Sequence, residues 1–319
     1  MNGKERVIAA INKEPVDCIP SGFSLHFPKG CESGEKGVGA HLEFFKETDM
    51  DICKIMNENL LPNIPNIKTA DDWKKVPVFS IKNDFMIRQI DMTKRILDQC
   101  DSQKFMMGTL HGIVASCIHP IEKEYGYEGA RKIMCLHLRE NKQVMLDVFR
   151  KMAEGMCELA EKYIEIGLDS VYYAGLGGET YYYTDEEFSN YIAPFDKMIL
   201  QTINQTKGYC FLHMCKDQLN LKRYESYNKY ADVVNWGVHE VPFSLAEGRK
   251  LFPETTIMGG LANRSGALVT GSTQDLRLSV KEIINDFGRT GFILGADCTL
   301  PTEVDYKRVS VAVEAAREQ

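Results

Sequence analysis

Long apolar runs are missing from this chain: no uninterrupted hydrophobic stretch approaches the ~20 residues that a bilayer-spanning helix needs. A basic excess is missing too. Lys plus Arg number 38 against 45 Asp plus Glu, a net charge of -7, which disfavours a nucleic-acid footprint while leaving room for a local basic patch. No secretory signal is expected at the start, because Met1 to Glu14 interleaves charges with Val7, Ile8 and Ile11 and reads as a short amphipathic helix. The ten cysteines, at 18, 31, 53, 100, 117, 135, 157, 210, 215 and 298, keep no tight spacing. Thiols so scattered suit a reducing cytoplasm, where most serve as small buried apolar groups. Internal repeats, low-complexity tracts and linkers are also lacking, so residues 1–319 are expected to form one domain.

What is present is alternation. Strand-like segments are expected at Ile19–Phe27, Ile52–Met56, Phe105–Leu110, Ser170–Ala174, Tyr209–His213, Val233–Trp236, Thr256–Gly260 and Phe292–Gly295. Helical periodicity lies between them, most clearly over 141–166, where Val144, Val148, Met152, Met156, Leu159 and Tyr163 fall on one face. Thr184-Asp185-Glu186-Glu187 and Ser272-Thr273-Gln274-Asp275 open further helices with a capping residue and early acids, and a last helix over 303–317 closes the chain. Strands and helices alternating in this way predict an α/β fold, a (β/α)₈ TIM barrel rather than a doubly wound open sheet. Residues 60–102, punctuated by Pro62, Pro65 and Pro77, read as a mostly helical N-terminal insertion or cap.

The run Tyr209-Cys210-Phe211-Leu212-His213-Met214-Cys215 carries the chemistry. Side chains two apart on a strand share a side, so His213 and Cys215 are aimed at one spot. Cys298, just past the strand at Phe292–Gly295, supplies a third soft ligand at an equivalent strand end, which is where barrel enzymes place catalytic groups. One imidazole and two thiolates suit zinc better than the oxygen-seeking Mg²⁺ or Ca²⁺ and make a poor iron–sulfur cradle. Three protein ligands would leave a fourth position open, as in catalytic zinc sites. Glu58, after the Ile52–Met56 strand, is a candidate fourth ligand or acid, with water or substrate as alternatives.

These residues also carry a resemblance. His213-Met214-Cys215, followed by Cys298-Thr299-Leu300-Pro301, resembles the zinc motif of cobalamin-dependent methyltransferases in the uroporphyrinogen decarboxylase superfamily. The opening from Arg6 to Pro20 is similar to the start of many members. Ser244-Leu245-Ala246-Glu247, Met258-Gly259-Gly260-Leu261 and Gly291-Phe292-Ile293-Leu294-Gly295 resemble the last three barrel strands. Two departures stand out. The arginine-rich segment with which true decarboxylases bind porphyrinogen carboxylates is replaced by 25–34, Leu-His-Phe-Pro-Lys-Gly-Cys-Glu-Ser-Gly, without arginine, which argues against a porphyrin substrate. Lys216 stands where the methyltransferase motif commonly continues into glycine.

The resemblance implies methyl transfer between a small molecule and the cobalt of a corrinoid held by a separate protein, since no cobalamin module is evident in the chain. Zinc could hold a thiol substrate as thiolate or act as Lewis acid on a methyl ether, an aryl methyl ether among them. Aromatic groups near strand ends, Phe23, Phe27, Tyr172, Tyr173, Tyr181, Tyr182, Tyr183 and Trp236, could receive a flat substrate, with barrel packing as the alternative. His26, His111 and His239 could hydrogen-bond it. Asp297 is weighed as an orienting group for a ligand, although strand parity points it away from Cys298. Gly175-Leu176-Gly177-Gly178 reads as a flexible mouth loop. Decarboxylation of an acid and a non-catalytic corrinoid- or ligand-binding barrel are the competing functions. An exposed barrel face could support a homodimer.

Overall fold

Seven parallel strands pair in chain order into one sheet: β1 (Ile52–Ile55), β2 (Phe105–His111), β3 (Ser170–Gly175), β4 (Tyr209–Met214), β5 (Val233–Trp236), β6 (Thr256–Leu261) and β7 (Phe292–Ala296). The structure, a computed structural model, describes residues 1–319. The eighth stave, expected as a full strand over 19–27, is reduced to isolated bridges. Gly22 N–H donates to Leu294 at 3.0 Å and Ile52 N–H donates to Ser21 at 3.1 Å, so this segment joins the two edges of the sheet. Pro20 has no N–H to offer a ladder, and the approach is tight enough that a Cβ on Gly22 would sit 2.9 Å from that of Ile52. The result is a TIM-barrel-like α/β fold.

Strand parity divides the core in two. Ile52, Phe105, Met107, Tyr172, Phe211, Val233, Met258 and Ile293 fill the barrel interior together with Val7, Ala10 and Ile11. Those last three come from the helix Gly3–Ile11, which plugs the barrel's N-terminal end and starts with an Asn2–Glu5 capping box. Residues of opposite parity, such as Tyr173, Leu212 and Trp236, face the surrounding helices in a cluster of 84 buried residues. The helix over 141–166 is observed as Lys142–Glu165 with Asn141 as its N-cap, and the Thr184 and Ser272 capping boxes both form.

Residues 60–102 are not a mostly helical insertion. Only Ala70–Lys75 and Asp84–Leu97 are helical, and the segment as a whole is the crossover from β1 to β2. The segment is tied to the helical segment Ile113–Glu140 at two points: Ile64 N–H donates to Pro120 O at 2.7 Å, and Trp73 Nε1–H, from the first of these helical turns, donates to His137 at 2.8 Å. That helical segment turns at Gly126, whose φ of 67° lies in the left-handed region. No helix is long and apolar enough to cross a membrane, and all ten cysteines are free thiols.

One carboxyl in the outer core sets a pH dependence. Asp196 is fully buried and accepts hydrogen bonds from the hydroxyls of Tyr173 and, at 3.0 Å, Tyr227. Burial pushes it up from 3.8 to about 7. The native state therefore holds this proton more tightly than the unfolded chain. The stability it contributes is complete below about pH 4 and is lost as pH rises through about 7. Asp196→Asn should flatten this part of the stability profile, read as urea midpoints between pH 4 and pH 8; an unchanged slope would show that Asp196 does not titrate there.

Candidate metal centre

The layer of inward side chains above the apolar plug is polar. Two residues beyond Phe211 on β4 stands His213; beside it on β5 stands Asn235, and on β1, two beyond Ile52, stands Lys54. Cys215 continues the direction of β4 as its N–H donates to Gly175 O at 3.1 Å, and Cys298 lies just past β7. The ligand atoms of His213, Cys215 and Cys298 lie within 4.8 Å of one another. The two sulfurs are 3.8 Å apart. A tetrahedral ion with ~2.3 Å bonds to sulfur sets its sulfur ligands ~3.8 Å from each other.

His213 supplies the second test of fit. Both of its ring nitrogens are buried and neither has a hydrogen-bond partner within the chain. Such orphaned polar atoms cost roughly 1–3 kcal/mol each. The ring is fixed instead by stacking on Tyr172, with centroids 5.5 Å apart and planes 23° from parallel. Tyr172 is held in turn by donating from its hydroxyl to Asn235 Oδ1 at 3.3 Å. The sulfurs act as a pair: a hydrogen bond from Cys215 draws Cys298 well below the usual thiol range, while sharing that proton and burial push Cys215 up. A thiolate is thus favoured at Cys298 beside the His213 imidazole. This donor set fits zinc.

The triad opens into a cavity of about 260 Å³ at the C-terminal mouth. His26, His111 and Tyr172, expected at the substrate site, line it. Four other expectations are corrected. Glu58 is not among the clustered ligand atoms; its carboxylate pairs with His26 Nδ1 at 2.6 Å. Tyr173 has the opposite strand parity to Tyr172 and bonds Asp196 among the helices. Trp236 likewise points outward, with Nε1–H donating to Phe243 O at 2.9 Å. His239 is half-exposed outside the cavity, paired at 2.9 Å with Asp297.

Asp297 therefore orients no ligand of the triad. Its carboxylate accepts the N–H groups of Val238 and His239, both at 3.1 Å, and ties the loop after β5 to β7. The glycine-rich loop after β3 is clamped rather than loose. Arg223 Nη1 donates to the carbonyls of Gly178 and Glu179, both at 3.2 Å, and Gly177 N–H donates to Glu179 at 2.8 Å.

Several mouth residues went unnoticed in the sequence. Lys54 is 5% exposed, its ammonium lies 3.4 Å from the centre of the Tyr172 ring, and burial pulls it down to about 8. A lysine in an otherwise apolar strand, two beyond Ile52, was the available signal. His119 and Tyr127 reach the cavity from the helical segment after β2. The His111 and His119 rings meet edge to face with centroids 5.0 Å apart. Burial pulls His119 down to about 4 and His111 well below the usual imidazole range, so both are neutral hydrogen-bonding groups at pH 7. Glu240, after β5, is raised by burial and by the charge at Cys298. It lies outside the cavity lining.

A (β/α)₈-type barrel with soft ligands gathered at its C-terminal mouth is the class that fold and site define. Residues 46–319 match the uroporphyrinogen decarboxylase (URO-D) family, and the chain belongs to that family. Among solved structures it is similar to a methyltransferase from Methanosarcina mazei, with TM-score 0.80 and 13% identity over 100% of this chain and 99% of that one. It is also similar to a B12-independent methionine synthase from Shewanella sp. W3-18-1, solved with selenomethionine, with TM-score 0.62 and 12% identity over 94% of this chain and 97% of that one. At such identities the likeness establishes a shared fold. No curated protein matches the sequence.

Proposed function

We propose that this protein is a zinc-dependent methyltransferase that moves a methyl group between a small molecule and the cobalt of a corrinoid held by a partner protein. The observation that carries the reading is the 3.8 Å sulfur–sulfur separation beside an imidazole with two unpaired nitrogens. Zinc held by His213, Cys215 and Cys298 would serve as a Lewis acid for the heteroatom that bears or receives the methyl group. The chain's own groups do the remaining work. Tyr172 keeps the His213 ring in place by stacking, and the barrel wall below excludes water through Met107, Phe211 and Met258. The mouth faces outward, where a protein-borne corrinoid could reach it.

The cavity favours a small donor or acceptor, such as an aryl methyl ether or a thiol. Its volume of about 260 Å³ lies just below the ~300–1,000 Å³ typical of sites for drug-sized ligands. A decarboxylase acting on a smaller acid is the second reading, favoured by the family and by the cations at the mouth. The two differ in their need for metal. Following the visible spectrum of a cobalt(I) corrinoid protein while offering methyl ethers, methylamines and methylthiols should reveal methyl–cobalt(III) with one donor, and a strong chelator should abolish it. Carbon dioxide release from a small acid that survives the chelator would replace methyl transfer by decarboxylation.

A further inference from the structure

The lining of the mouth cavity contains Lys54, Lys216 and Arg264 and not one Asp or Glu, in a chain whose net charge is -7. None of the three forms an ion pair. Lys54 is buried, yet its single hydrogen-bond partner is Ser24 Oγ at 3.3 Å. Lys216 rests its ammonium 4.4 Å from the centre of the Tyr127 ring, and Arg264 is exposed at the rim with no bond inside the chain. Elsewhere in this molecule buried cations are matched, as Arg131 is by Glu179 and Arg6 by Asp51. Burying a charge without a partner is costly, so an unmatched ammonium on a cavity wall points to a counter-ion that arrives with the ligand.

The backbone at Lys216 is an independent sign. Its φ of 92° lies in the left-handed region that suits glycine and strains any other residue. Here the chain keeps a lysine despite the strain, and the strained residue lines the cavity.

We propose that the cavity binds a small organic oxyanion, with Lys54 as the deep counter-ion and Lys216 and Arg264 closing on it from the rim. Its identity as the methyl donor or acceptor rests on the methyl-transfer reading; recognition of the acid group does not. The sulfurs of Cys298 and Cys215 and the Glu58 carboxylate act on Lys54 through space without bonding it, and Glu240 senses Cys298 and Lys216 from outside the lining.

Calorimetric binding to the zinc-loaded full chain tests this with matched probes: 4-methoxybenzoate against 4-methoxybenzamide, and 3-mercaptopropionate against its amide. At least one acid should bind about tenfold tighter than its amide. Lys54→Met should remove most of that preference while leaving the amide's affinity in place, and Arg264→Gln should reduce it. Lys216→Gly should also reduce it while melting no lower than the parent, because the strain is relieved; this variant keeps the test alive should Lys54→Met fail to fold. Equal binding of acids and amides, or no binding of any acid, overturns the proposal. So does a preference that persists in all three variants, which would place the anion on the metal. An acid preference without methyl transfer would leave this inference standing and remove only the reading of the reaction, while methyl transfer without an acid preference would do the reverse.

Discussion

Glu179→Gln is expected to lower the unfolding free energy by about 3–5 kcal/mol, because it takes the buried carboxylate from Arg131 and leaves only the exposed Glu128 to face the guanidinium. Arg131 and Glu179 are 2% and 0% exposed and bond each other directly. The Arg131 side chain is enclosed by Tyr127, Tyr181 and Tyr182, its guanidinium carbon 4.6 Å from the centre of the last ring. Glu179 also accepts the N–H of Gly177, so the substitution loosens the loop after β3. Leu176 in that loop lines the cavity, which links this stability to the site. Removing both partners in Arg131→Met/Glu179→Gln should recover part of the loss, since no uncompensated charge then remains. Urea unfolding of the two variants measures this. A loss below about 0.5 kcal/mol for Glu179→Gln would mean that the pair is solvated or made elsewhere.

Cys298→Ala is expected to take bound zinc from about one ion per chain to nearly none, and methyl transfer with it. The same holds for His213→Ala. Each change deletes one of only three protein ligands, and two remaining ligands hold zinc too weakly to survive purification. The barrel should stay folded in both variants, because its large outer core and the apolar plug do not involve the triad. In His213→Ala the loss of two orphaned nitrogens even removes a desolvation penalty from the metal-free protein. Elemental analysis with circular dichroism reads both quantities on one sample. Full zinc occupancy in either variant would put the metal elsewhere.

Much of this site was legible because strands obey a period of two. His213 and Cys215 were recognisable as a pair from spacing alone, and the structure brings Cys298 to them across the mouth. The same rule, applied one residue off, explains the errors. Tyr172 and Tyr173 look alike in sequence, yet only Tyr172 has the parity of Phe211 and Met107; Asn235, not its conspicuous neighbour Trp236, faces inward. Choosing between adjacent residues requires the register of each strand, which a run as apolar as Ser170–Gly175 does not declare. Glu58 was misplaced because its loop after β1 has no periodicity to orient it. The eighth stave was overread because 19–27 has strand composition, whereas Pro20 and the close packing at Gly22 restrict it to bridges. The helices were easier, since capping residues such as Asn141, Thr184 and Ser272 mark their starts chemically.

The central claim is that one histidine and two cysteines share a single zinc ion at the barrel mouth. Zinc K-edge X-ray absorption on the purified protein tests it most directly. Two sulfur neighbours at ~2.3 Å, one imidazole nitrogen at ~2.0–2.1 Å and one further light atom are expected. A zinc shell without sulfur, a shell of four sulfurs, or protein that takes up no zinc when reconstituted would contradict the assignment.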